Sequence, residues 1–170
     1  MKAASSKFAK AARAPRARAR LACVQALYQM DMAGTDLNAV IEEFSTHRFA
    51  PDAEDKTVTG ADANHFCTVL KGVVERQREL DPLIDQQLAT GWRLVRIDSI
   101  LRAILRAGVL ELMACADIPG KVVITEYVDV AHAFFDGDEP KVVNGVLDKL
   151  ARHLRPQEFS LGPAGEPGKA

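Results

Sequence analysis

Acid is missing from the start of this chain. Residues 1 to 20 hold seven Lys or Arg and no Asp or Glu, whereas residues 21 to 170 hold 15 basic and 23 acidic side chains. The formal net charge of -1 therefore averages a cationic arm with a body carrying about eight excess negative charges, and any polyanion should be held near the arm. Cysteine is scarce. Cys23, Cys67 and Cys115 are far apart, with no C-x-x-C and no paired histidine spacing, which excludes a disulfide framework and a zinc ribbon and suits reduced core thiols of a cytoplasmic protein. No run of about eighteen apolar residues exists to cross a bilayer. The apolar centre of a secretory signal is also lacking, although an arm rich in Ala, Ser and basic residues is equally the composition of a mitochondrial transit peptide.

Catalytic signatures are missing too. There is no phosphate loop ending in G-K-[ST] and no dinucleotide fingerprint. His47, His65, His132 and His153 are scattered, and the acidic pairs Glu42–Glu43 and Asp136 with Asp138 have no candidate nucleophile beside them. Nothing separates the pKa values of two neighbouring carboxyls as acid–base chemistry requires. No catalytic residue, cofactor or metal is expected.

What is present is helical periodicity. Residues 1–15 are expected to be a disordered basic arm, 16–155 one helical domain and 156–170 a disordered Gly/Pro-rich tail. A first helix, Arg16 to Met32, carries Leu21, Val24, Leu27 and Tyr28 and ends at Gly34. Thr35 or Asp36 caps a second, with Leu37, Val40, Ile41 and Phe44 inward. A polar loop, Phe49 to Gly60, precedes a third helix, Ala61 to Leu80, and Asp81-Pro82 restarts a short fourth that stops near Gly91. Trp92 follows, beside Arg93 and Arg96. The fifth, Ser99 to about Cys115, is apolar over so much of its circumference that it should be central, with Gly108 marking a close helix crossing. KVVITEYVDVAHAFF reads as a sixth helix with Val123, Tyr127, Val130, Ala131 and Phe134 on one side, and Pro140 opens a seventh with Val143, Val146, Leu147, Leu150 and Leu154 inward. All eight prolines fall outside helix interiors in this scheme, which favours an all-α bundle of about seven helices.

The chemistry left is binding. Arg16, Arg18 and Arg20, with Lys10 and Arg13 before them, can engage phosphates, while Gln25 and Tyr28 offer an amide for base edges and a ring for stacking. Tyr28 serves equally well as a core aromatic with its hydroxyl at the rim.

Four segments, RARARLACVQALYQMD, ILRAILRAGVLEL, IPGKVVITEYVDVAHAFF and PKVVNGVLDKLAR, resemble in order and spacing the NusB family of bacterial transcription antitermination factors, over roughly residues 16 to 155. The resemblance implies two packed helical subdomains, no enzymatic activity, and binding of the boxA element of ribosomal RNA leaders together with the small-subunit ribosomal protein NusE, within the RNA polymerase antitermination complex. It leaves homodimerisation open. It places RNA binding on Arg16, Arg18, Arg20, Gln25, Tyr28 and Lys141, and partner binding on Leu101, Arg102 and Asp138. Leu101 stands where many members carry an acid, Val142 where an aromatic is expected, and Leu110 where a Tyr-Glu-Leu motif has tyrosine. Asn144-Gly145 contradicts helix propensity, and the expected reason is close packing at Gly145 with Asn144 satisfying buried backbone. The alternatives are a helical protein-interaction module, or a NusB-like RNA-binding module acting with an rRNA methyltransferase carried on a second chain.

Overall fold

The structure is a computed structural model that describes residues 14–160, all-helical apart from connections. In chain order the helices are α1 (Pro15–Ala33), α2 (Leu37–Glu43, prolonged by a π-helical turn Phe44–Arg48), α3 (Ala63–Gln87), α4 (Ser99–Ala114), α5 (Gly120–Phe134), α6 (Glu139–Leu154) and a short α7 (Pro156–Phe159). Of the two termini expected to be disordered, residues 1–13 and 161–170 lie outside the described residues. The boundaries shift: Pro15 is already the first residue of α1, and Pro156 opens a helical turn instead of a tail.

Local chemistry sets most helix ends. Gly34, at φ 65°, closes α1 in the left-handed conformation that glycine adopts without a Cβ clash. Carboxylates of Asp36, Asp62 and Asp98 accept the first free amides of α2, α3 and α4. The expected break at Asp81-Pro82 does not occur: α3 runs through it, with Pro82 in its interior. Two tertiary contacts override the local signal. Asp81 is held by Arg106 of α4 through two hydrogen bonds of 2.8 Å, so it does not cap. Leu80 and Ile84 are fully buried on the stripe that Phe66, Val69, Leu70 and Val73 begin. Each such side chain contributes about 1.5–3 kcal/mol by burial, enough to offset the roughly 3 kcal/mol that an interior proline costs.

α1 packs on α3 and α5 packs on α6, and α4 lies against all four. α4 is central, as expected, and Gly108 is the reason it can be. A Cβ there would stand 2.8 Å from Leu147 Cδ1 of α6. Leu110 packs in the same way over Gly72 of α3, where a Cβ would lie 2.9 Å from its methyl groups. α1 is enclosed over residues 17–26, where alanines 17, 19, 22 and 26 are buried alongside Leu21, Cys23 and Val24. The polar loop after α2 is anchored by Phe49 and Val58, both buried, and Phe49 joins Phe44 and Phe66 in an aromatic cluster with ring centroids 5.1–6.0 Å apart. Phe134, expected inward, is exposed at the end of α5.

α1 and α4 are antiparallel. Asp31 near the end of α1 meets Arg102 near the start of α4 at 2.7 Å, and Arg16 at the start of α1 reaches toward Asp117 just after α4. This arrangement decides which candidate residues can share a surface.

Candidate nucleic-acid interface

The three arginines of α1 have three different environments. Arg16 is half exposed, and its guanidinium lies 3.8 Å from Asp62 and 3.9 Å from Asp117, long contacts that hold it weakly. Arg18 is half buried and donates from Nη1 to the Thr59 carbonyl, tying α1 to the loop before α3. Arg20 is in the core at 3% exposure. It donates from Nε to Glu111 Oε2 and from Nη2 to Oε1, each at 2.9 Å, a bidentate pair between α1 and α4.

Glu111 is wholly buried and is the meeting point of four helices. Besides Arg20 it accepts a hydrogen bond from the Tyr127 hydroxyl of α5, and His65 Nε2 of α3 stands 3.2 Å away, close but poorly aligned for a hydrogen bond. Burial by itself pushes the carboxyl upward. His65, the hydrogen bonds and charge of Arg20, and Tyr127 outweigh it and bring the group down to about 2. The same burial and the Glu111 charge push the Tyr127 hydroxyl well above its ordinary value. Arg20 is therefore corrected from an RNA contact to a structural charge, because a guanidinium committed to a buried carboxylate is unavailable to phosphate.

The other candidates separate by location. Gln25 is half buried with an Oε1 that accepts no hydrogen bond among the described residues, and Tyr28 is partly exposed. Lys141, with 86% of its side chain exposed, lies 3.7 Å from Asp138, itself exposed. These two sit at the start of α6, whose Glu139 lines a concavity with Leu101 and Asp98. Lys141 is thus near the start of α4, whereas Arg16 is near its end, a separation of roughly 20 Å along a 16-residue helix. They do not form one compact basic patch; an extended strand could touch both.

Of the expected partner residues, Leu101 is buried at 1% and offers no side chain to a partner. An apolar residue on the inward stripe of α4 has no reason to be elsewhere. Arg102 donates to Asp31 and to the Leu94 carbonyl and is mostly covered. Asn144 and Gly145 also overturn the expected packing role: Asn144 is exposed, and a Cβ on Gly145 would meet nothing within 4 Å. No contact of this structure explains the glycine.

Two buried charges escaped sequence reading. Glu111 interrupts the apolar run GVLELMA, a visible signal. Arg155 is buried at the end of α6 and donates to the carbonyls of Glu111, Leu112, Cys115 and Ile118, closing the end of α4 and the turn into α5. Placed just before Pro156, it had no local pattern to reveal it.

The sequence model of the NusB family matches residues 17–152. The chain belongs to the NusB family. A transcription antitermination protein NusB from Bradyrhizobium diazoefficiens is 52% identical over 147 residues, covering 86% of this chain and 89% of that one. The solved NusB of T. maritima superposes with a TM-score of 0.71 at 30% identity, covering 87% of this chain and 99% of that one. A solved complex of antitermination factors NusB and NusE with dsRNA shares the fold, with a TM-score of 0.63 at 24% identity over 82% of this chain and 97% of that one. NusB is a family of transcription antitermination factors. Among the described residues no helix is long and apolar enough to cross a membrane, and no group of three or more His, Cys, Asp or Glu could hold a metal.

Proposed function

We propose that this chain binds boxA RNA of ribosomal RNA leaders jointly with the ribosomal protein NusE and, in the cytoplasm, holds it in the RNA polymerase antitermination complex so that premature termination is suppressed. It acts by binding and carries no catalytic step. The observation that carries the reading is the start of α1, where exposed Arg16 continues an acid-free segment bearing four further cations, on a chain of the NusB family. Tyr28 and Lys141 supply a ring and a charge farther along. Arg18 contributes to the same end, and Arg102 and Asp138 lie on the side assigned to the protein partner.

Titration of boxA and scrambled RNA, with and without NusE, tests the proposal. The expected result is a preference for boxA that NusE strengthens, with a slope of log affinity against log salt of about -2 to -3 if three or four phosphates are met. Equal affinity for both RNAs under both conditions would refute it.

A further inference from the structure

The segment between α3 and α4, residues 88–98, is pinned at its centre by Leu94, with Leu88 and Ile97 packed against the core on either side. Leu94 is buried, its amide donates to the Asp85 carboxylate at 3.0 Å, and its carbonyl accepts from Arg102 at 3.3 Å. Turn hydrogen bonds fix the neighbours: the Trp92 amide to the Ala89 carbonyl at 2.9 Å, and the Arg96 and Ile97 amides to the Arg93 carbonyl at 2.9 and 3.1 Å. Gly91, at φ 90°, lets the chain turn before them. With Leu94 pinned inward, Trp92, Arg93, Val95 and Arg96 face out. Trp92 is 42% exposed and Val95 80%. Neither arginine makes an ion pair among the described residues.

Trp92, Arg93 and Arg96 border one open concavity of about 310 Å³, with Leu101 in its wall and Glu139 of α6 opposite. Its acidic members, Asp98 and Glu139, form no ion pair with the arginines among the described residues. Asp98 accepts from the amides of Ile100 and Leu101, and Glu139 Oε2 is buried without a hydrogen bond among the described residues. Lys141 follows Glu139 by two residues. An indole with two guanidiniums that make no ion pair among the described residues matches a nucleotide: a π-face to stack and phosphates to neutralise.

We propose that this concavity is a second single-stranded RNA contact, in which one base stacks on Trp92 while the phosphates flanking it are met by Arg93 and Arg96. It rests on the RNA-binding reading above and extends it: the strand anchored at Arg16 would run along the bundle to the opposite end of α4. The hydrogen-bonded turns fix the backbone that carries the ring and the charges.

Trp92 is the single tryptophan of the chain, so its fluorescence reports this site alone. The full chain is titrated, with and without NusE, with a labelled single-stranded oligoribonucleotide carrying boxA, following RNA anisotropy and Trp92 emission together. Quenching should saturate at the same RNA concentration as the anisotropy. Trp92→Ala should weaken RNA binding roughly 5- to 150-fold, with Trp92→Phe retaining most of it. Arg93→Gln with Arg96→Gln should make the salt slope shallower by about 1.4, at unchanged thermal midpoint, while Trp92 remains available as reporter. If RNA binds but neither Trp92 emission nor the variants respond, the second contact is wrong and the RNA-binding reading stands. If no RNA binds even with NusE, both fall. If NusE alone shifts Trp92 emission, and the arginine variants weaken NusE instead of RNA, the concavity is a protein interface and the proposal is overturned.

Discussion

Arg20→Ala should unfold the protein more readily without touching the nucleic-acid surface. Arg20 and Glu111 are both buried and bonded through two contacts of 2.9 Å, so removing the arginine leaves a carboxylate in the core with only Tyr127 and His65 beside it. Breaking a buried pair on one side costs about 3–5 kcal/mol. The carboxyl itself gives a second handle on the same magnitude. Held at about 2 against an ordinary 4.5, it corresponds to roughly 3 kcal/mol of stability. A depressed carboxyl stabilises the fold above its unfolded value, so this contribution should be complete above about pH 4.5 and lost as the pH falls toward 2. Urea unfolding followed by circular dichroism measures both effects. With a slope near 2 kcal/mol per molar, Arg20→Ala should lower the midpoint by about 1.5–2.5 M, and the pH dependence of stability between 4.5 and 2 should become shallower. Arg20→Met with Glu111→Leu should cost less than the two single changes summed, by at least about 1 kcal/mol, because the pair then leaves together. A stability within about 0.5 kcal/mol of wild type, accompanied by a tenfold loss of RNA affinity, would refute this account and return Arg20 to the RNA surface.

Arg16→Gln should do the reverse, reducing the salt slope of RNA binding by about 0.7 in the same titration while leaving the urea midpoint unchanged, since its ion pairs are long and exposed. The two glycines of α4 and α6 should respond with opposite signs. Gly108→Ala puts a methyl 2.8 Å from buried Leu147 and should destabilise by about 1–2 kcal/mol, whereas Gly145→Ala enters open space and should stabilise by about 0.5–1 kcal/mol, both read as shifts in thermal midpoint. Arg155→Met would strip the donor from four carbonyls and should cost at least about 3 kcal/mol, with amide exchange accelerating first at residues 112–120.

Helix positions were legible because the signals that set them are local: Gly34 and the caps Asp36 and Asp98 lie next to the turns they close. Pro82 misled for the converse reason. Its local preference is for a helix start, and what overrode it, Arg106 on Asp81 and the burial of Leu80 and Ile84, comes from residues distant in sequence or from the core. The candidate site was less legible because charge in a sequence carries no depth. Yet part of the depth was present in the period. At about 100° per residue, Arg20 falls between Leu27 and Val24 on the helical wheel, inside the apolar arc, while Arg18 falls outside it. An arginine within a core stripe requires a buried acid, and Glu111, alone among GVLELMA on the most apolar helix, is where such an acid would be sought. What the period could not reveal is the exposed side: Trp92, Arg93 and Arg96 lie in a loop with no repeat, and their common direction depends on Leu94 being pinned by Asp85 and Arg102. Arg20, one of the three arginines expected at the RNA site, belongs to the core, while Arg93 and Arg96, which make no ion pair among the described residues, stand before the start of α4 beside a ring that no helical pattern marks.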